Sequence, residues 1–328
     1  MLTVTLYTRE GCHLCEQAAD DLETLQEEFP HHLVLLDIEQ EEGLLRKYES
    51  EIPIIEIGPY RLKAPIDRQK LAMTLGAARD RAIQLEAAED KVYRKKVARG
   101  QKITFADRFF SWFSNHYMLI FNLFILIYVG LPFLAPVMQH EGFTTPARIT
   151  YKVYSKLCHQ LAFRSWFLYG EQIAYPRATA SIEDLTPYGE ATGLDPTDLQ
   201  TARDFIGNEH LGYKVAFCQR DVAIYGGMLL FGLIFAPFKR KIKPLPIWTW
   251  VLIGILPIGL DGVSQIISQL HILEFIPYRE STPFLRTLTG FLFGFSTAWF
   301  GYPIIEESMV ETRKIISVKF AALSMREK

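Results

Sequence analysis

The first 80 residues alternate short apolar runs with amphipathic segments. The runs over residues 2–7 and 33–38 are too short for buried helices and predict strands. Amphipathic stretches lie between the runs, and the first of them, 12–29, begins at a cysteine and ends before Pro30. The resulting order of strand, helix, strand, helix, strand, strand, helix predicts a small α/β domain over residues 1–80.

Residues 81–116 are polar at first and then amphipathic. The stretch 79–99 has no Pro or Gly, is acidic early and basic late, and predicts a basic linker helix. The segment that follows, 105–116, carries several aromatic side chains on one side and Asp107 and Arg108 on the other. This pattern is typical of a helix that lies in the membrane interface.

Four long apolar runs follow, at residues 117–138, 222–238, 246–260 and 284–305. Runs of this length with few charges are typical of membrane spans. They predict an all-α transmembrane domain of about four helices over residues 117–310, with a cytosolic tail at 311–328. Between the first two spans, 151–170 predicts a helix, and 171–212 predicts an outer excursion with one helix at 196–206.

The distribution of basic residues predicts how the chain is oriented in the membrane. Lys and Arg cluster before the first span, between the second and third, and after the fourth, at Lys91–Lys102, Lys239–Lys243 and Arg313–Lys328. Basic loops favour the cytosolic side. The start of the chain also lacks a basic, apolar leader. These features predict a multi-pass protein of the plasma membrane with its N-terminal domain and C-terminus in the cytosol. The net charge of −2 gives no reason to expect nucleic acid, so the lipid bilayer is the expected partner.

The candidate chemistry of the N-terminal domain is the sequence Gly11-Cys12-His13-Leu14-Cys15. The pair of cysteines opens a helix, whose unpaired N–H groups and positive dipole end favour a thiolate at Cys12. Cys15 lies one turn later and can attack a mixed disulfide on Cys12. The alternatives are two metal ligands or two inert thiols, although two cysteines alone do not complete a zinc site.

Three groups of residues in this domain resemble the glutaredoxin branch of the thioredoxin fold. They are Tyr7-Thr8 followed by Cys12 and Cys15, then Asp37-Ile38-Glu39, and then Ile52-Pro53-Ile54. The resemblance implies a thioredoxin-like domain and a redox role for Cys12 and Cys15. It also implies that Pro53 is cis and faces the cysteine pair, so that Ile52 and Pro53 present backbone to an extended substrate. The partner would be a thiol or disulfide, on a protein or on a small molecule.

Two positions depart from this family. His13-Leu14 stands where glutaredoxins commonly have Pro-Tyr, and Gly58-Pro59 stands where a glycine pair is usual. Glutathione is therefore not expected as a ligand.

A second set of polar residues lies at the predicted outer ends of the spans, where ionisable groups are costly unless they are paired or functional. The set comprises Cys158, His159, Gln160, Arg164, Cys218, Arg220, Asp221, Asp261 and Arg286. The predicted topology brings all of these residues to one face of the bundle.

The motifs that contain these residues resemble a family of small membrane proteins of unknown function, over residues 117–305. The motifs are Cys158-His159-Gln160, Arg164-Ser165, Cys218-Gln219-Arg220, Tyr225-Gly226-Gly227, Asp261 and Arg286-Thr287-Leu288-Thr289-Gly290. In that family the second cysteine motif often reads Cys-x-x-Cys, and here Asp221 holds its last place.

Three interpretations of this polar set stay open. Cys158, His159, Cys218 and Asp221 offer the donors of a site for zinc or another transition metal. Alternatively, Cys158 and Cys218 form a disulfide on the oxidising side of the membrane. In the third interpretation, the charged residues form ion pairs that fix helix register and the cysteines are small buried residues.

The sequence supports three hypotheses of function. The first is a membrane-anchored thiol–disulfide oxidoreductase with Cys12 attacking and Cys15 resolving. Its difficulty is that about 30 Å of hydrocarbon would separate the two cysteine sets. The second is a metal-binding membrane enzyme or transporter with the N-terminal domain as a regulatory module. The third is a non-enzymatic fusion in which that domain recruits a partner.

Overall fold

The structure, a computed structural model, describes residues 2–40, 42–88, 91–238, 241–270 and 278–324. Contacts between Cα atoms divide the chain into two units. Unit 1 comprises Met1–Tyr117 together with Glu306–Lys328, and unit 2 comprises Met118–Ile305. Unit 1 therefore joins the beginning of the chain to its end.

Unit 1 contains a four-stranded sheet in the order β2-β1-β3-β4. Its strands are β1 (Leu2–Thr8), β2 (His31–Asp37), β3 (Ile54–Ile57) and β4 (Tyr60–Lys63). Strand β1 is parallel to β2 and antiparallel to β3. The helices of the domain are α1 (His13–Thr24), α2 (Glu42–Tyr48) and α3 (Arg68–Ala87). The prediction of a thioredoxin-like α/β domain is confirmed.

The two faces of this sheet bury different sets of residues because successive side chains of a strand point to opposite faces. Leu6 and Ile55 contribute to one apolar cluster, with Leu22 and Leu71 from the helices. The neighbouring residues Tyr7 and Ile54 belong to the other cluster, and the full membership of that cluster is Tyr7, Leu36, Ile38, Leu44, Tyr48, Ile54 and Val310. Val310 comes from the far end of the chain, so the second cluster is completed by a residue outside the predicted domain.

Two further helices that contribute to unit 1 are longer than the sequence pattern indicated. Helix α4 (Lys91–Gly100) follows α3, and residues 89–90, which the pattern placed in one linker helix, lie outside the described residues. The predicted interfacial segment and the first span form one helix of 36 residues, α5 (Phe105–His140). The last span extends from Pro283 to Ser324 as the 42-residue helix α12. The predicted tail is therefore a continuation of α12 as far as Ser324, and residues 325–328 are not described.

Within the described residues, three helices are long and apolar enough to cross a membrane: α5, the helix over Ile247–Gln269, and α12. The middle one consists of α10 (Ile247–Trp250), a π-helical turn and α11 (Leu256–Gln269), with α9 (Gln219–Phe235) before it. Helix α9 corresponds to the second of the four predicted spans and has 17 residues, so it is ~26 Å long. The basic residues Lys239 and Arg240, which supported the predicted orientation, lie outside the described residues, as do Arg326 and Lys328.

Glycines let α9 and α12 pack closely. A Cβ atom added to Gly294 would meet the carbonyl oxygen of Ile224, and one added to Gly290 would lie 2.7 Å from the carbonyl oxygen of Arg220. Gly227 has the same role on α9, where an added Cβ would lie 2.9 Å from the carbonyl oxygen of Phe291. Gly227 and Gly290 belong to motifs that the sequence analysis singled out, and the close approach of the two helices explains why a glycine stands at each of these positions.

The outer segment of unit 2 differs most from the prediction. The prediction of a helix over residues 151–170 is wrong. Helix α6 (Thr144–Tyr154) ends only a few residues into that range, and strand β5 (Ser165–Leu168) lies in its second half. Strand β5 pairs with β7 (Gly212–Cys218), which also pairs with β6 (Gly207–Asn208). The excursion contains α7 (Tyr188–Thr192) and α8 (Leu199–Asp204), of which the second falls within the predicted helix at 196–206. The membrane half is therefore not purely helical, because a three-stranded sheet leads directly into α9.

Candidate functional site

The cysteine pair lies in the loop that joins β1 to α1. Gly11 has a φ of 70°, a left-handed conformation that favours glycine, and the next residue caps the helix. The Sγ atom of Cys12 accepts a hydrogen bond from the backbone N–H of Cys15 at 3.3 Å. Cys12 and Cys15 are joined as a disulfide. The predicted pair therefore stands at the helix N-terminus, as its chemistry requires.

The two sulfur atoms differ in accessibility. Cys12 is half-buried, whereas Cys15 is 1% exposed. The two residues between them, His13 and Leu14, are exposed. When the pair is reduced, only Cys12 can be reached by a partner, and the helix dipole favours its thiolate. This asymmetry matches the roles of attacking and resolving cysteine.

Ile52 and Pro53 lie at the same end of the sheet as the cysteine loop. The peptide bond between them is cis, as the resemblance implied. Strand β3 begins at the next residue, Ile54, which is paired with Tyr7 near the end of β1. Since β1 and β3 are antiparallel, the residues that precede Ile54 and those that follow Thr8 emerge at one edge. The substrate-binding role of Ile52 and Pro53 stays a prediction.

A buried polar cluster, here called the Tyr7 cluster, lies beneath this edge. The hydroxyl of Tyr7 donates a hydrogen bond to Glu56 at 2.8 Å, and burial raises the pKa of Tyr7. Lys314 donates to Glu56 at 3.3 Å, and its Nζ atom lies 5.0 Å from the centroid of the Tyr7 ring. Sequence reasoning missed Lys314 because nothing local connects it to a strand more than 300 positions earlier.

A second cluster, in unit 2, contains sulfur and carboxylate ligands. The Sγ atoms of Cys158 and Cys218 and a carboxylate oxygen of Asp221 all lie within 4.8 Å of one another. The thiol of Cys218 donates a hydrogen bond to Asp221 at 3.1 Å. Contact with the Cys158 thiol and burial both raise the pKa of Cys218. Both cysteines are thiols here rather than a disulfide.

The three residues of the motif Cys158-His159-Gln160 lie in different environments. Cys158 enters the sulfur cluster, whereas His159 is exposed and lies outside it. The side chain of Gln160 donates hydrogen bonds to the carbonyl oxygens of Tyr151 at 3.1 Å and Ala216 at 2.8 Å. Gln160 therefore ties the loop after α6 to β7. The metal-ligand set that the sequence indicated is reduced by this geometry to Cys158, Cys218 and Asp221.

Arginine residues form a third cluster around two carboxylates that are each 2% exposed, Asp261 and Glu280. Glu280 accepts from Arg286 at 2.8 Å and from Arg164 at 3.2 Å, and Arg177 lies 3.6 Å away. Asp261 pairs with Arg220 and, at 3.1 Å, with Arg279. The structure thus brings together the predicted residues Arg164, Arg220, Asp261 and Arg286.

Three members of this arginine cluster were missed: Arg177, Arg279 and Glu280. The sequence Arg279-Glu280 directly precedes the last span, and two charges at that position could have indicated a buried pair. Arg177 lies in the excursion, where no periodic pattern marks a buried residue.

Lys214 is another buried charge that the pattern did not reveal. It lies in the middle of β7 and is 1% exposed. Its Nζ atom donates a hydrogen bond to the carbonyl oxygen of Gln160 at 2.9 Å and another to that of Arg203. Burial lowers the pKa of Lys214 to about 7.

Comparisons with known proteins agree with this two-part organisation. Residues 3–76 match the family described as Glutaredoxin-like domain (DUF836). Residues 203–300 match a separate family described as Predicted membrane protein (DUF2085). The chain is also similar to an uncharacterized protein of Methanocaldococcus jannaschii, with 27% identity over 209 residues that cover 61% of this chain and 99% of the relative. No solved structure matches the chain significantly. The predicted fusion of a glutaredoxin-like domain with a membrane-protein domain is confirmed.

Proposed function

We propose that this protein is a membrane-anchored thiol–disulfide oxidoreductase whose glutaredoxin-like domain carries the reaction. The observation that supports this most directly is the unequal exposure of the cysteine pair at the N-terminus of α1. Cys12 is accessible and Cys15 is 1% exposed. A nucleophile must be reached by its substrate, whereas a resolving thiol needs to reach only its neighbour.

The reaction takes place in two exchanges. The Cys12 thiolate attacks a disulfide of the partner, forms a mixed disulfide and releases one partner thiolate, which takes up a proton. The Cys15 thiolate then attacks the Cys12 sulfur, and the second partner thiol leaves. Two electrons and two protons pass to the partner, and Cys12 and Cys15 end as a disulfide. A dithiol reductant restores the pair by the reverse exchanges.

Ile52 and Pro53 would hold the partner during these exchanges. They lie at the edge of the sheet where the cysteine loop also emerges. Proline lacks a backbone N–H, so the groups available to an extended substrate there are those of Ile52 and the carbonyl of Pro53. The partner is thus a thiol or disulfide presented on an extended segment.

The topology proposed for the membrane half is four spans with both ends in the cytosol. The chain leaves unit 1 at Tyr117 and returns to it at Glu306. Residues that precede the membrane half in the chain contact residues that follow it, as Glu56 and Lys314 do within unit 1. This requires an even number of crossings, so α9 counts as a span although it is short. Basic residues near both ends favour the cytosol for unit 1.

The test uses the full-length protein and a fluorescent peptide disulfide as substrate. Cys15→Ser is expected to accumulate a mixed disulfide with the peptide, while Cys12→Ser forms none and loses reduction by at least about 100-fold. The double variant Cys158→Ser/Cys218→Ser is the control and should keep full activity. Activity that persists in Cys12→Ser would exclude this function.

A second candidate function, a metal-dependent role of the membrane half, is favoured by the sulfur cluster. Two thiols and one carboxylate within 4.8 Å of one another make three donors of a zinc-like site. Three protein ligands leave a fourth position for water or substrate, as catalytic zinc sites do.

Metal analysis of the purified full-length protein separates this candidate from the first. About one equivalent of zinc or another transition metal is expected in the wild type and in Cys12→Ser/Cys15→Ser. Cys158→Ser/Cys218→Ser should lose it, whereas His159→Ala should keep it because that side chain lies outside the cluster. Equal metal content in the wild type and Cys158→Ser/Cys218→Ser would eliminate the site.

A further inference from the structure

Among the described residues, the arginine cluster of unit 2 has more positive charge than the carboxylates in contact with it balance. Five guanidinium groups, those of Arg164, Arg177, Arg220, Arg279 and Arg286, contact two carboxylates within the described part of the chain. Arg286 is 5% exposed at its side chain and Arg177 11%. Buried charge without a counter-charge is expensive, so the surplus calls for an anion.

In the part of the chain that the structure describes, several donors in or next to this cluster also have no acceptor. The Nε atoms of Arg177 and Arg220 are buried and form no hydrogen bond among the described residues. The hydroxyl of Ser281, next to the shared carboxylate of Glu280, is buried and unpaired as well. Arginine donates several N–H groups in a fixed fork, which suits the oxygens of a phosphate.

A cavity of about 650 Å³ borders the arginine cluster at Arg279 and Glu280. Its lining includes Arg279 and Glu280 of the cluster, with Ser181, Ser264 and Tyr278 as further polar residues. This volume lies within the range of small-molecule sites. Arg279 is 39% exposed, so part of its guanidinium can contact a bound group.

An almost wholly apolar cavity of about 530 Å³ adjoins the first. It is lined by Trp166, Ile173, Pro283 and Phe284, among others, and Thr282 lines both cavities. Ser181 lines the first cavity and the next residue, Ile182, lines the apolar one. A cavity that borders the arginine cluster at Arg279 and adjoins an apolar cavity suits an amphiphile with an anionic head.

We propose that unit 2 binds an anionic phospholipid, with the phosphate of its head group at the arginine cluster and part of an acyl chain in the apolar cavity. The inference is independent of the redox function, since it concerns other residues. The shared chemistry, a phosphate oxyanion, could also come from free phosphate, and the experiment below separates the two sources.

The full-length protein in neutral detergent is titrated with phosphatidylglycerol whose acyl chains carry bromine, which quenches nearby tryptophan fluorescence. Trp166 lines the apolar cavity. The protein has five tryptophans, and comparison with Trp166→Phe shows which part of the quenching comes from Trp166. Saturable quenching is expected in the wild type and not in Trp166→Phe. Brominated phosphatidylcholine should need at least about tenfold more lipid, because it has no net charge.

Variants test the contact with the lipid head group and the contact with the acyl chain separately. Arg279→Gln should raise the half-saturating lipid concentration by about tenfold, and Arg148→Gln, an exposed arginine outside the cluster, should not change it. Phe284→Ser, at a position 74% exposed and therefore tolerant, should weaken binding by about threefold through the tail. Unchanged melting temperatures verify that the variants fold.

Three results would overturn the proposal. They are equal binding of phosphatidylglycerol and phosphatidylcholine, unchanged binding by both Arg279→Gln and Phe284→Ser, and displacement of the lipid by excess inorganic phosphate. The last result would assign the site to free phosphate.

Discussion

Cys12 and Cys15 are three positions apart in the chain and lie in different environments. Cys12 caps α1 and remains partly accessible, while Cys15 belongs to the buried face of the same helix. The helix dipole acts on both sulfurs, but only accessibility decides which one meets an external reagent. The different roles proposed for the two cysteines thus depend on the exposure of each side chain.

Alkylation should report this difference. In the reduced full-length protein, iodoacetamide is expected to modify Cys12 at least about tenfold faster than Cys15. Mass spectrometry of the peptides containing each residue measures the two rates. In denaturant the rates should become similar, and faster modification of Cys15 in the folded protein would contradict the proposed roles.

Lys214 illustrates how burial changes a single residue. Its pKa is lowered to about 7, while in the unfolded chain it lies near 10.5. Between these values the unfolded state binds more protons than the folded state, so stability rises with pH. The destabilisation is full below about pH 7 and is relieved progressively as the pH rises from the folded pKa towards the unfolded one.

Replacing this lysine should remove the pH dependence it causes. Relative to Lys214→Met, the melting temperature of the wild type is expected to rise between pH 7 and pH 9. Thermal unfolding of both proteins at several pH values measures the difference. Lys152→Met, at an exposed position of α6, should follow the wild type. Parallel curves for the wild type and Lys214→Met would show that Lys214 does not titrate in this range.

At the scale of elements, the helices and strands that were predicted correctly are those whose ends are marked in the local sequence. The strands and helices of the glutaredoxin-like domain were predicted because apolar runs, Pro30 and the cysteine turn mark their ends. The helix expected at 151–170 failed because apolar residues there pack in a loop and in strand β5, whose partner β7 is about 50 positions away. Pairing over such a distance leaves no mark in a local window.

The candidate site was predictable to the same extent. Cys12, Cys15, Cys158 and Cys218 stand in short motifs and were found. Glu280, Arg177 and Lys214 were not, because burial of a charge depends on partners that only the fold supplies. His159 was assigned with Cys158 by adjacency, yet the loop turns it to the surface.

The crossing of α9 and α12 gives a test at the level of elements. Gly294→Ala is expected to lower the free energy of unfolding by about 1–3 kcal/mol, because the new methyl group would meet the backbone of Ile224. Gly301→Ala, in the same helix with nothing within 4 Å, is the matched control and should not destabilise. Thermal unfolding in detergent compares them. Similar losses for both variants would mean that helix propensity rather than packing governs these positions.

At the scale of the whole molecule, unit 1 is assembled from both ends of the chain. In the proposed four-span topology, the cysteine pair and the end of α12 would lie on one side of the membrane, the cytosolic one. A membrane-impermeant thiol reagent, applied after reduction, is therefore expected to label Cys12 in inverted vesicles and not in intact cells. Labelling of Cys12 in intact cells would reverse the proposed orientation.

The contact between α12 and the glutaredoxin-like domain should matter for its stability. Val310 is 6% exposed, and Val310→Asp would bury a charge without a partner, at a cost of more than about 2 kcal/mol. Ile315→Asp, 60% exposed on the same helix, is the control and should have little effect. Protease resistance of residues 1–80 in the full-length protein measures the difference. Equal resistance of the two variants would show that the domain does not depend on α12.

The position of Val310 has a consequence for how the protein is made. The glutaredoxin-like domain is translated before the membrane half, yet one of its two apolar clusters contains Val310, which is translated after residues 118–305. Until synthesis reaches that residue, Tyr7 and Tyr48 lack part of their cover. The domain therefore reaches its final form only when the membrane half has been synthesised. A chain that stalls during insertion would present an incomplete domain to chaperones and proteases, which links quality control of this domain to completion of the membrane half.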